Sequence, residues 1–384
     1  MEVRKLFYED PHLRKFSATV LCCREEENGW AVYLDQTAFY PEGGGQACDT
    51  GTLGDARVTD VREDAQGIRH LCDRALPVGA AAEGAIDWTH RFDLMQQHTG
   101  EHIVSGIIFE KYGYHNSGFH VGTDGMEVDF DGPIPLADVA WIEQKANEAV
   151  WANLPIKCWY PAEELLPTIP YRTKRALPWP VRIVDISGVD LCACCGIHVK
   201  ATGEVGIIKI SSCVSLRGGV RMVIRCGGRA LTHLNQVYDQ NRQVSQAFSA
   251  QILETGEAAR KMNEALAMEK LRSNTLQKQV FSYIAREYEG RGNVLHFAEG
   301  LAPGQVRELA DAIAGTVSGW AAVFSGDGSS YSYCLATRSG DLRDMGKAMT
   351  AALSGRGGGK PNFQQGSVSA ARREIEAFFA SFIP

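Results

Sequence analysis

The sequence predicts an α+β protein in which a β-rich start, a helical middle and a mixed C-terminal part follow one another. Three observations carry this expectation. Short apolar runs broken by Gly, Asp and Asn fill the first 85 residues. Residues 230–288 contain no proline and space many apolar side chains as a helix does. The last hundred residues alternate the two patterns. A chain of 384 residues is long enough for several domains and a sizeable core.

Residues 1–85 are expected to form a β-barrel-like N-terminal domain, with strand-like runs at Phe16–Leu21, Trp30–Leu34 and Ala56–Val61. The second unit, 86–230, opens with a helix from Asp93 to Lys111 that carries Leu94, Ile103, Ile107 and Ile108. Strands at His120–Val121 and Met126–Phe130 follow, then a helix over Leu136–Asn153 and strands at Val205–Ile210 and Val220–Arg225. In 231–290, Leu234, Val237, Ile252, Leu266, Leu271, Val280 and Ile284 predict a long helix or helical hairpin, with Gly256 as its break. The fourth unit, 291–384, reads as an α/β domain with strands at Asn293–Phe297 and Trp320–Phe324 and a glycine run near Gly357.

Composition excludes several classes. Hydrophobic residues at 45% with 22% charged residues describe a globular chain, not a disordered one. The first ten residues contain no apolar signal-peptide core, and no apolar run is long enough to span a bilayer, so no membrane role is expected. Eleven cysteines without export signals point to a reducing cytoplasm with mostly free thiols. The net charge of −7 argues against a general nucleic-acid binder. Charge is uneven, however. Between Tyr171 and Arg229, ten basic residues (Arg172, Lys174, Arg175, Arg182, Lys200, Lys209, Arg217, Arg221, Arg225 and Arg229) face only Asp185, Asp190 and Glu204. Such a region either steers a polyanion or is a set of solvated charges; counts alone do not separate the two.

Two half-sites carry the chemistry. His98-Thr-Gly-Glu-His102 and Cys194-Cys-Gly-Ile-His198 each place two ligand side chains four residues apart, which on a helix or tight turn points both the same way. Three imidazoles and one thiolate form a donor set suited to tetrahedral Zn²⁺. Cys192 and Cys195 lie near enough to compete for the thiolate position, so Cys194 rests on its spacing to His198. Four protein ligands make a closed site, whereas a catalytic zinc keeps one position open. The segment His98–His102 also fits H-x-x-E-H, a metalloprotease pattern with Glu101 as base. That reading leaves Cys194, His198 and the glycine motifs unexplained, and a solvated helix-face position is the simpler expectation for Glu101.

At this point the motifs resemble a family. Thr37-Ala-Phe-Tyr-Pro-Glu-Gly-Gly-Gly-Gln46 with Asp49-Thr-Gly51 resembles the glycine-rich motif of alanyl-tRNA editing domains, and the two half-sites resemble their metal motifs. Ser354-Gly-Arg-Gly-Gly-Gly-Lys-Pro361 with Gln365-Gly366 is similar to the glycine motif of the alanyl-tRNA synthetase C-terminal domain. The motifs begin close to Met1, so the resemblance implies the layout of free-standing AlaX editing proteins in their long form, in which no aminoacylation domain is expected ahead of them. Val181–Ile186 and Asp190 resemble the family's approach to the second metal motif.

The resemblance implies a trans-editing hydrolase that removes serine, and in some members glycine, from mischarged tRNA-Ala. It implies one zinc per chain, held by His98, His102, Cys194 and His198. It gives Thr37 contact with the serine hydroxyl and Gln46 a part in shaping the pocket. A hydrophobic pocket cannot strongly reject an isostere that only adds a hydroxyl, so a second, hydrolytic site makes physical sense. Residues 86–230 then become the zinc-containing editing core, 231–290 a helical linker and dimerisation segment, and 291–384 a domain for tRNA binding and dimerisation. Two departures stand out: Cys195 and Ile197 replace a glycine and a threonine of the synthetase motif. The C-terminal glycine run is neither a Walker A loop nor a dinucleotide motif, and is expected to be a loop whose amides could bind phosphate. The alternative reading is a non-catalytic zinc-bearing tRNA-binding protein; a weaker one is the metalloprotease.

Overall fold

The computed structural model describes residues 3–122, 125–173 and 177–382. Helices and sheets alternate along the chain, so the α+β class holds. Contacts divide it into two compact units, Met1–Gln243 and Val244–Pro384. Among the described residues no helix is long and apolar enough to cross a membrane.

The first unit begins with a closed six-stranded barrel, in the order Lys15–Glu26, Gly29–Leu34, Gly67–Cys72, Ala56–Asp64, Gly51–Leu53 and Ala81–Ile86. Alternation sets its interior: Phe16, Ala18 and Val20 are buried while Lys15, Ser17 and the tip of the strand face water. A short parallel pair, Arg4–Lys5 with Gln36–Thr37, closes against it.

The helix Trp88–Tyr112 follows. It starts five residues before the sequence predicted, because the Asp87 side chain caps its first turn by accepting from His90 N. From Gln97 to Ile108 every residue is buried. One side of that enclosure is an antiparallel four-stranded sheet (Ile208–Leu216, Gly219–Cys226, Met126–Phe130, Asn116–Val121), with a second helix, Leu136–Trp151, packed nearby. Gly100 shows how close the approach is: a Cβ there would lie 2.2 Å from Cys226 Sγ. The expected strand at Val205–Ile210 starts only at Ile208, since Thr202–Val205 forms a 3-10 turn. A small sheet, Ile156–Trp159 with Ile183–Ile186 and Asp190–Ala193, delivers the chain to Cys194.

In the helical stretch the break lies before Gly256. One helix, Gly227–Phe248, ends where Ser249 takes φ +50° and Ser245 Oγ donates to Ala250 O at 2.6 Å; the next, Thr255–Arg286, contains Gly256 in its first turn. The second unit also holds a five-stranded sheet, Val294–Ala298, Trp320–Gly326, Tyr331–Thr337, Phe363–Val368 and Arg356–Lys360. Its glycine run is therefore not a loop. Arg356–Lys360 is an exposed edge strand paired with Phe363–Val368. A Cβ on Gly357 would meet Tyr333 Oη at 2.3 Å, which excludes larger residues there.

Candidate functional site

The structure brings the two half-sites together. One ligand atom from each of His98, His102, Cys194 and His198 lies within 4.8 Å of the others, and all but the intermediate Cys194 are buried. The helix supplies the first pair because residues four apart share a face. The turn after Asp190–Ala193 supplies the second pair, and Cys194 Sγ reaches 3.3 Å from His98 Nε2.

Each imidazole is oriented from behind through Nδ1. His98 Nδ1 donates to Gln46 Oε1 at 2.8 Å, His102 Nδ1 to Asp190 Oδ2 at 2.8 Å, and His198 Nδ1 lies 3.2 Å from Thr99 Oγ1. This leaves the Nε2 atoms for the centre, the arrangement that metal-binding histidines require. Asp190 is itself fixed by Arg172, whose Nε and Nη2 donate at 3.0 and 2.9 Å. The Cys194–Gly196 backbone is gripped in turn: Arg182 Nη1 donates to Cys194 O at 3.0 Å and Gly196 O at 2.7 Å, and Tyr8 Oη donates to Cys195 O at 2.7 Å.

Electrostatics agree with a metal site. Burial alone would raise the Cys194 thiol, yet the imidazoles of His98 and His102 hold it well below the usual value, which favours the thiolate form. Burial pushes the His198 imidazole down to about 3, which keeps it neutral. Among the described residues its buried Nε2 makes no hydrogen bond. Burial works against a cation on His102, but Cys194 and Asp190 raise its pKa well above the ordinary value; the same two anions suit a metal cation. Burial raises the competing thiols, Cys192 to about 11 and Cys195 also upward, so Cys194 is the better donor. Gly196 has to be glycine, since a Cβ would sit 2.1 Å from His98 Cε1. The four side chains thus fit a metal ion.

Beside the cluster lies a cavity of about 420 Å³, lined in part by Gly44, Glu101, Phe119, Arg172 and Arg182. That size suits a small ligand or a terminal group of a larger one. The glycine-rich motif reaches it through a tight turn: Gln46 N donates to Gly43 O, and Gly44 and Gly45 take φ +60° and +81°. A Cβ on Gly45 would collide with Phe119 at 2.5 Å.

The two residues named for the pocket are placed differently. Gln46 touches the cluster through His98 and does not line the cavity. Thr37 is fully buried outside the cavity. His70 Nδ1 donates to Val32 O at 3.0 Å, so the Thr37 hydroxyl donates to His70 Nε2 at 2.8 Å, and it accepts from Phe39 N at 3.0 Å. Glu101 corrects the sequence reading: it is not a solvated helix-face residue but is 5% exposed and lines the cavity. The basic segment is also different in kind. Arg172, Lys200, Lys209, Arg221 and Arg229 are ion-paired with Asp190, Asp10, Glu143, Asp129 and Asp93 respectively, so they form no uncompensated basic patch. Lys174 and Arg175 lie outside the described residues. The sequence reading missed the roles of Arg172, Arg182 and Tyr8, for which no local pattern exists.

Residues 181–223 match the family model described as the threonyl and alanyl tRNA synthetase second additional domain, a stretch that includes Asp190, Cys194 and His198. An alanine–tRNA ligase of Thermofilum pendens is 32% identical over 389 residues, covering 95% of this chain and 42% of that protein. The alanyl-tRNA editing protein Aarsd1 of Mus musculus is 28% identical over 293 residues, covering 71% of this chain and 70% of that one. The chain is thus similar both to alanine–tRNA ligases and to an alanyl-tRNA editing protein. A ligase of Ignicoccus hospitalis is 35% identical over 267 residues, covering 64% of this chain and 28% of its own length. The chain thus spans less than half the length of these ligases. A solved C-Ala domain of Aquifex aeolicus alanyl-tRNA synthetase aligns with 24% of the chain and 92% of its own at 19% identity; its TM-score of 0.22 carries no argument.

Proposed function

We propose that the protein is a cytoplasmic hydrolase that deacylates tRNA-Ala mischarged with serine or glycine. The observation that carries this reading is the four-residue cluster beside a cavity, in a chain similar to alanine–tRNA ligases and to the editing protein Aarsd1. The cluster is read as a zinc site with His98, His102, Cys194 and His198 as ligands. A zinc ion there would supply a Lewis acid for the ester carbonyl or the attacking water. The chain's own residues do the rest. Gln46, Asp190 and Thr99 fix the imidazoles, and Arg182 and Tyr8 fix the Cys194 turn. Phe119 and the glycine turn line one side of the cavity.

His198 has the longest of the three Nδ1 contacts, so we take it as the ligand most readily yielded. The part that the resemblance gives Thr37, contact with the serine hydroxyl, carries a condition: its hydroxyl would have to leave His70. Residues 291–384 are proposed to bind tRNA-Ala and, with the helical segment 231–290, to support a homodimer, with the exposed strand Arg356–Lys360 on the RNA side.

The test is release of serine from Ser-tRNA-Ala, with Ala-tRNA-Ala, a chelator and Cys194→Ala as controls. Chelator-sensitive loss of serine with alanine spared is expected. Binding of zinc and tRNA without loss of either amino acid would sink the hydrolase and leave a tRNA-binding module.

A further inference from the structure

We infer that Glu101 receives the α-ammonium group of the aminoacyl ester, so that the site reads a free amino group on its substrate. The inference rests on the hydrolase reading above. Glu101 is tied down from one side only. Ser105 Oγ donates to its Oε1 at 2.5 Å, and Asn116 Nδ2 donates to the same oxygen. Among the described residues Oε2 makes no hydrogen bond, and it lies 3.9 Å from His102 Nε2. The result is a carboxylate of fixed orientation with one acceptor oxygen left at the rim of the cluster.

It is also the sole Asp or Glu among the described residues that line the cavity. Asp190 stands behind His102 and is occupied by Arg172. An aminoacyl ester brings three recognisable groups: the carbonyl, the side chain and an ammonium that is cationic at neutral pH. That cation enters a site already holding the guanidinium groups of Arg172 and Arg182. Burying it without an anion would be costly, and Glu101 is the anion available. The ester carbonyl carbon lies two bonds from the ammonium nitrogen, and Glu101 is the chain neighbour of His102. With Oε2 3.9 Å from His102 Nε2, an ammonium anchored on it keeps the carbonyl within reach of the cluster. Nothing in this role requires the carboxylate to give or take a proton.

The experiment pairs one substitution with one change of substrate. Wild type and Glu101→Gln are compared on Ser-tRNA-Ala and on the same tRNA after deamination, in which a hydroxyl replaces the amino group. Glutamine keeps an oxygen for Ser105 and Asn116 and removes the charge. The wild type is expected to prefer the amino substrate by about ten- to a hundred-fold in kcat/KM, the range of one charge-assisted hydrogen bond. The variant should lose most of that preference, falling on the amino substrate while staying near wild type on the deaminated one. An equal fall on both substrates would overturn the inference and mark Glu101 as acting on water or on the cluster.

A binding arm separates this from failure of the function itself. The non-hydrolysable 3′-serylamide of adenosine and its deaminated counterpart are titrated calorimetrically into both proteins. If wild type hydrolyses nothing, the hydrolase reading fails, and equal affinity for the two analogues overturns the Glu101 assignment as well. Should Glu101→Gln fail to fold or to hold metal, Glu101→Asp, which keeps the charge, replaces it. Retained preference then supports the role, and a wild type without preference overturns it.

Discussion

Gln46 and Thr37 come from one motif and do different work, which only their partners reveal. Gln46 accepts from His98 Nδ1, so Gln46→Leu should lower metal affinity by about ten- to a hundred-fold, read by competition with a chromogenic chelator. Thr37 bonds to His70, which is wholly buried and whose pKa burial lowers from 6.5 to about 4. The unfolded chain binds a proton on His70 in the window where the native chain does not. This contribution to stability is therefore complete above pH 6.5 and is lost as pH falls toward 4, by up to about 3 kcal/mol. Urea unfolding across that window should show a steeper decline for wild type than for His70→Gln. Thr37→Val separates two roles: a fall in the serine-to-alanine hydrolysis ratio would place its hydroxyl on the substrate, and a loss of stability with an unchanged ratio would leave it in the barrel. The four candidate ligands were legible because a spacing of four residues has a geometric meaning in itself. Asp190's link to Arg172 and Glu101's burial were not. Both depend on what packs against a helix, and a helix covered all round from Gln97 to Ile108 gives no amphipathic signal to say which side is wet.

Elements are joined at a few buried polar contacts that no periodicity announces. Asp49, in the motif that resembles the editing domains, is paired in the core with Arg91 of the long helix. Arg91 Nη1 also donates to Leu13 O at 3.1 Å, and Asp49 accepts from Tyr40 N at 2.5 Å. This latch holds the glycine-rich segment of the barrel against the helix that bears His98 and His102. Removing one partner strands a buried charge, so Asp49→Ala should destabilise the first unit by about 3–5 kcal/mol, measured by denaturant unfolding. The barrel strands at Phe16, Trp30 and Ala56 could be read as short runs broken by Gly, Asp and Asn. The strand Arg356–Lys360 could not, because glycines in sequence argue for a loop and only the pairing with Phe363–Val368 makes them a strand. Register between distant segments is the information that a single sequence withholds.

The molecule as a whole is two bodies with separate cores, and the candidate metal site belongs wholly to one. Barrel, long helix and four-stranded sheet share a continuous apolar cluster that contains Phe39, Ile103 and Met222. The second unit has its own, built around Phe324, Leu335 and Phe379 on one side of its sheet and Leu309, Ile313 and Val323 on the other. A ligand that binds only the native state stabilises the unit it binds, and by mass action no other. Calorimetry should therefore resolve two unfolding transitions. Chelation should lower the midpoint of one by several degrees and leave the other in place, and Cys194→Ala should reproduce that shift without chelator. A single transition, or a shift of both together, would mean that the units unfold as one cooperative body and that metal bound among His98, His102, Cys194 and His198 stabilises residues far beyond Gln243.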